Sequence, residues 1–156
     1  MSQNHALRAD SEHAATPAAA LRRRVFQGYR WLLAGFLLAG VTQIFLAGLG
    51  VFSLQDQGLA TQGDAAFAPH RSLGFAMGGI ALLILVLALI ARPDIRAMIL
   101  SGVLVLLTAF TQSLLAGLAD SHALYGALHA LDGLLILAIA GYLYARAAQR
   151  GIGPRS

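Results

Sequence analysis

The sequence predicts an all-α membrane protein: an antiparallel bundle of four transmembrane helices, built from two parallel helical-hairpin repeats, with both termini cytoplasmic. Three observations carry the prediction. Of 156 residues, 58% are hydrophobic and only 12% charged, about half the charged share of an ordinary soluble domain. The apolar residues gather into four long runs separated by short polar segments. All eleven basic residues are arginines, and every one except Arg71 flanks the same side of those runs. The chain has no cysteine, which excludes disulfides, thiolate metal sites and cysteine nucleophiles.

Residues 1–21 are polar and alanine-rich, lack a sustained apolar period, and read as a disordered cytoplasmic tail. Arg22-Arg23-Arg24 precedes the first span, about residues 30–52, long enough to cross roughly 30 Å of hydrocarbon. That run exceeds a signal-peptide core, and no clear small-x-small cleavage site follows it. Residues 53–69 form a polar loop. The second span covers about 71–91 and ends at the charged turn Arg92-Pro93-Asp94-Ile95-Arg96, where Pro93 stops the helix. The third span runs over about 97–119. Asp120-Ser121-His122 is a short loop in which Asp120 or Ser121 is the expected cap of the next helix. The fourth span runs over about 123–145, and residues 147–156 form a second cytoplasmic tail. Positive charge stays in the cytoplasm, so the arginines set this orientation. They are topology signals and form no separate basic domain, so no nucleic-acid partner is expected; the partner is the lipid bilayer. The arginine-only basic set, with the Ala, Leu and Gly richness, points to a bacterial cytoplasmic membrane.

Polar residues inside apolar spans are the informative ones, because each needs a partner in lipid. Here two segments match. Thr42-Gln43-Ile44-Phe45-Leu46-Ala47-Gly48-Leu49 and Thr111-Gln112-Ser113-Leu114-Leu115-Ala116-Gly117-Leu118 share six of eight positions. Each is followed by a His-x-x-x-Gly near the head of the next helix, His70 to Gly74 and His129 to Gly133. Leu, Ala and Gly recur by chance in apolar sequence; a Thr-Gln pair and a His in matching places are better explained by duplication. On this reading the first and third helices are diagonal, and so are the second and fourth.

Two histidines facing across a four-helix core can supply both axial ligands of a haem iron. His70 and His129 are the candidate iron ligands. Gly74 and Gly133, one turn below, would leave room for a flat ring. Gln43 and Gln112 would donate to propionates or orient the imidazoles, and Arg71 would pair with a propionate. Packing alone is the competing reading, since glutamines and glycines also hold membrane helices together without a ligand. The protein is then a non-catalytic membrane subunit or scaffold. A third reading is a small transporter with the Gln/His layer as its substrate site. Asp132 is costly inside a span; a His, a Gln or Arg71 is its expected partner. His122 reads as solvated. No nucleophile–base pair, phosphate loop or carboxylate dyad appears, which points away from an enzyme.

The histidines must also lie at one depth. His70 is 22 residues from Arg92, about 33 Å of helix, whereas His129 is 17 from Arg146, about 25 Å. Measured to Arg150 the second spacing is 21, and the mismatch vanishes. Both readings are open at this level.

The Gln43-to-Leu49, His70-to-Gly74 and Leu128-to-Gly133 motifs resemble those of a family of small four-span bacterial membrane proteins of unassigned function, across about residues 28–146. More distantly the chain is similar to one four-helix half of haem A synthase, where a His-Arg opens the second helix and a fourth-helix His ligates haem. That resemblance implies haem b on His70 and His129, serving electron transfer or haem handling with a redox partner or quinone. The family's catalytic Glu three residues before His-Arg is Phe67 here, and its outer cysteine pair is missing, so haem oxidation chemistry is not implied.

Topology reporters test the orientation. Fusions after Ser156 or within the Arg92–Arg96 turn should report cytoplasmic, and fusions in the 53–69 loop external. An external C-terminus would invalidate the span count and polarity together.

Overall fold

The computed structural model describes residues 16–57 and 63–152. The expected tail through residue 15, with His5 and His13, lies outside the described residues, as do the middle of the 53–69 loop and the last four residues. All described elements are helical: α1 (Pro17–Gln57), the single turn α2 (Gly63–Ala66), α3 (Ala68–Ala91), α4 (Ile95–Leu118) and α5 (Ala123–Ile152). The four long helices are each long and apolar enough to span a bilayer. They also turn large apolar side chains outward, among them Leu38, Phe45, Phe75, Phe110 and Leu131. Lipid is the only solvent that tolerates so continuous an apolar surface. The chain is a multi-pass membrane protein with a four-helix bundle.

The neighbouring interfaces are α1–α3, α3–α4, α4–α5 and α5–α1, which leaves α1/α4 and α3/α5 as the two diagonals, as expected. Buried positions explain the packing. They fall at Tyr29, Leu33, Phe36 and Gly40 on α1, and at Met77, Ala81, Ile84 and Ala88 on α3. On α4 they are Ala97, Ser101, Leu104 and Thr108; on α5, Ile136, Ala140, Leu143 and Ala147. Each series steps by four and three residues, the 3.5-residue beat of helices that interlock at shallow angles. At one level small meets large: Gly40 of α1 packs against Met77 of α3 and Leu137 of α5. Across the α1/α4 diagonal, Ser101 donates to the Ala97 carbonyl at 2.8 Å and accepts from the Tyr29 hydroxyl at 3.4 Å.

Three boundaries differ from the sequence reading. Helix α1 begins at Pro17, inside the expected tail, because Thr16 accepts from the Ala19 N–H at 3.4 Å and Pro17 occupies the first turn ahead of an alanine run. It also continues to Gln57, into the expected loop. The cap of α5 is neither Asp120 nor Ser121: the Leu124 N–H donates to His122 Nδ1 at 3.1 Å, while the Ser121 hydroxyl turns back to the Leu118 carbonyl.

Within α4 one turn, Leu106–Thr111, is a π-helix; the Gln112 N–H bonds the Leu107 carbonyl, five residues back. Its extra residue changes the phase of the helix. The four-three beat 97, 101, 104, 108 would next bring Thr111 inward; the wide turn brings Gln112 instead.

The α3–α4 turn is the second organiser. Arg92 takes a left-handed conformation (φ 49°) that ends α3, and its N–H reaches the Ala88 carbonyl. Asp94 caps α4, accepting from the Ala97 N–H at 2.7 Å through one oxygen. Its other oxygen accepts from Arg146 and Arg150 of α5, and Arg150 also donates to the Pro93 carbonyl. The Ala97 bond, and then the arginines, hold the Asp94 carboxyl below its ordinary value of 3.8. A depressed carboxyl stabilises the fold above its unfolded value and loses that contribution as pH falls through the folded one. Thermal unfolding in detergent should therefore show Asp94→Ala destabilised at pH 7 by about 1 kcal/mol, the usual worth of a lost cap. At pH 3 the gap to the unmodified protein should narrow.

Candidate functional site: a histidine pair at one end of the bundle

His70 stands in the first turn of α3 and His129 in the second turn of α5, on diagonal helices at the end of the bundle opposite the arginines. Their rings meet: the centroids are 6.1 Å apart and the planes cross at 60°. The structure thus decides the question of depth. Arg150 lies at the Arg92–Asp94 turn and bonds Pro93 and Asp94, so the 21-residue spacing is the relevant one and the histidines are level.

Each ring is held in the same way. His70 Nδ1 lies 3.2 Å from the Gln43 carbonyl of α1, and His129 Nδ1 lies 3.2 Å from the Gln112 carbonyl of α4. A carbonyl oxygen only accepts, so both Nδ1 atoms carry the proton, and in each neutral imidazole Nε2 is left as a lone-pair acceptor. A main-chain carbonyl on Nδ1 fixes ring orientation and tautomer, the support that metal-bound histidines require. Nothing in the sequence announces these bonds, because the acceptors are backbone atoms of the glutamines and not their side chains.

The glutamine side chains do something other than expected. A Cβ on Gly74 would lie 3.0 Å from Gln43 Nε2, and one on Gly133 would lie 3.4 Å from Gln112 Nε2. The glycine faces thus receive the amides of neighbouring helices and are not open walls for a flat ring. Gln112 Nε2 further donates to the His129 carbonyl at 3.0 Å, closing a reciprocal pair with the Nδ1 bond. Gln43 Oε1 is buried with no hydrogen-bond partner. Below this layer, Met77 and Leu137 pack against Gly40.

Arg71 is exposed beside His70. Asp132 is buried, with Gln112 and His129 as its polar neighbours rather than Arg71; its Oδ2 has no partner, nor has Thr108 Oγ1. Thr108 carried no expectation of a role, and the signal that marks it, the π-turn, is structural. Among the described residues no group of three or more His, Cys, Asp or Glu side chains converges as a metal site. Family models, curated proteins and solved structures give no match to the chain.

Filling a glycine face tests the role of the amides. Gly74→Leu should displace the Gln43 amide and lower stability by about 1–3 kcal/mol, the usual cost of overpacking. Gly48→Leu, at a position with open space, should leave the thermal midpoint nearly unchanged.

Proposed function

We propose that the histidine end is a bis-imidazole site for haem b, serving electron transfer or haem handling in a bacterial cytoplasmic membrane. One observation carries the reading: two diagonal imidazoles 6.1 Å apart between centroids, each with Nδ1 on a carbonyl. Metal–imidazole bonds of about 2 Å put two axial nitrogens about 4 Å apart and their ring centroids about 6 Å apart. The observed centroid spacing matches that of such a pair and supports the reading. A haem bound there would supply one-electron exchange. The chain's own contribution would be to bring the two imidazoles together and hold each ring through the Gln43 and Gln112 carbonyls. Arg71 is the residue proposed for a propionate. The matching Gln–His contacts on α1–α3 and α4–α5 support descent of the two hairpins from one duplicated unit. The resemblance to the four-span family and to haem A synthase points the same way by motif.

A second reading is favoured by the amides on Gly74 and Gly133 and by the Gln112–His129 reciprocal pair. These are complete packing contacts, and a non-catalytic membrane subunit needs no more. Optical spectroscopy of the purified protein separates the two. The haem reading requires a reduced spectrum with sharp alpha and Soret bands, abolished by His129→Ala; His70→Ala should abolish it or leave a five-coordinate, ligand-binding haem. Protein purified from haem-replete cells that shows no Soret band, and takes up none on addition of hemin, is a packing scaffold.

A further inference from the structure

We propose a second site at the opposite end of the bundle, where α5 binds the phosphate of an anionic phospholipid. Tyr142, Ala145, Arg146, Gln149 and Arg150 line a recess on one face of α5. Their spacing, three and four residues, places them in one stripe along the helix. Arg146 and Arg150 share a single carboxylate, that of Asp94, whose second oxygen is already committed to capping α4. Among the described residues, two positive charges thus meet one negative charge.

The guanidinium donors are also in surplus. Each arginine has five N–H groups. Arg146 makes bonds to Tyr142 and Asp94, and Arg150 to Pro93 and Asp94. Both side chains remain over a third exposed, at 35% and 38%. A phosphate diester supplies the missing negative charge and acceptors arranged for such forks, and the Gln149 amide adds a donor at the rim of the recess. The Tyr142 ring, under Arg146 at 5.7 Å, is half exposed; a ring with one wet edge belongs at the headgroup level.

A lipid is favoured over a soluble phosphate by what continues the stripe. Toward the histidine end the same face presents Ala138, Leu135 and Leu131, all exposed, so an acyl chain would lie along α5 from the recess into the hydrocarbon. The positive-inside rule puts this end at the cytoplasmic leaflet, where anionic lipids attract arginines. The site lies a membrane's width from the histidine pair and does not depend on what that pair holds.

Thermal unfolding of the purified protein in neutral detergent tests it, with phosphatidylglycerol, phosphatidylcholine or inorganic phosphate added. Phosphatidylglycerol should raise the midpoint by several degrees, phosphatidylcholine by less than half as much, and inorganic phosphate not at all. Arg150→Gln should lose the phosphatidylglycerol shift. Because Arg150 also clamps the Asp94 turn, Gln149→Glu is the second variant: it places a negative charge in the recess while both clamp arginines remain, and should lose the shift measured against its own lipid-free midpoint. Equal shifts with both lipids, a shift with phosphate alone, no shift with any addition, or a phosphatidylglycerol shift that survives Gln149→Glu would each overturn the proposal.

Discussion

Hydrocarbon offers no hydrogen bonds, and the arrangement of this bundle follows from that constraint. Hydroxyls within the spans mostly return to carbonyls of their own helix: Thr42 to Leu38, Ser101 to Ala97, Ser113 to Ala109. Such bonds satisfy the side chain within its own helix, and Ser101 also accepts from Tyr29 on α1. Polar links between helices are concentrated at two levels, the arginine–aspartate clamp at one end and the histidine–glutamine layer at the other, with the apolar four-three stripes between them. Among the described residues three buried atoms break the rule: Gln43 Oε1, Thr108 Oγ1 and Asp132 Oδ2. All three lie on the histidine side of the bundle. An unpaired buried polar group costs a few kcal/mol, so among the described residues the cost of polar burial falls mainly on this side.

Much of the fold was legible because it depends on quantities a sequence displays directly. Run length gave the four spans, and the ring of interfaces follows from short connections between antiparallel neighbours. The missed features are of two kinds. Some had a readable signal: Thr16-Pro17 followed by alanines is a helix start, and Pro93-Asp94 before an apolar run is a capped one. Others had none. The π-turn of α4 leaves no compositional trace, since Leu106–Thr111 reads like any other apolar stretch. The candidate site divides in the same way. Residue identities, the pairing of His70 with His129 and the place of Gln43 and Gln112 beside them came from the repeated pattern. The roles did not, because a backbone carbonyl holding Nδ1 and an amide filling a glycine face are matters of ångströms.

The two hairpins are not equivalent, and the difference has a local cause. On α1 the beat 29, 33, 36, 40 reaches Gln43 without interruption. On α4 the beat 97, 101, 104, 108 is one residue out of phase with its aligned counterpart, and the π-turn restores the phase just before Gln112. Thr42 accordingly bonds four residues back, to Leu38, whereas Thr111 reaches five back, to Leu106 at 3.4 Å. The helix departs from ideal geometry at the one place where doing so brings a glutamine to a histidine. A mid-helix π-turn often marks such a requirement. The outer layer therefore constrains α4 more tightly than the core packing below it does.

The two polar ends are also mechanically related. A helix is nearly rigid along its axis, so fixing the depth of one end fixes the other. Asp94 and Pro93 hold Arg150 at the α3–α4 turn, and His129 stands 21 residues up α5 from there, against 22 from Arg92 to His70. Were Arg146 at the turn in place of Arg150, α5 would slide by one turn and His129 would move about 6 Å out of level with His70. At that offset neither the ring contact nor a metal shared between the imidazoles survives. Arg146 does reach Asp94, but at 3.5 Å and without Pro93, and its better bond is to Tyr142 at 2.9 Å on its own helix. The main-chain acceptor at Pro93 is what distinguishes the two registers, and through it an arginine at one face of the membrane sets the geometry of the histidines at the other.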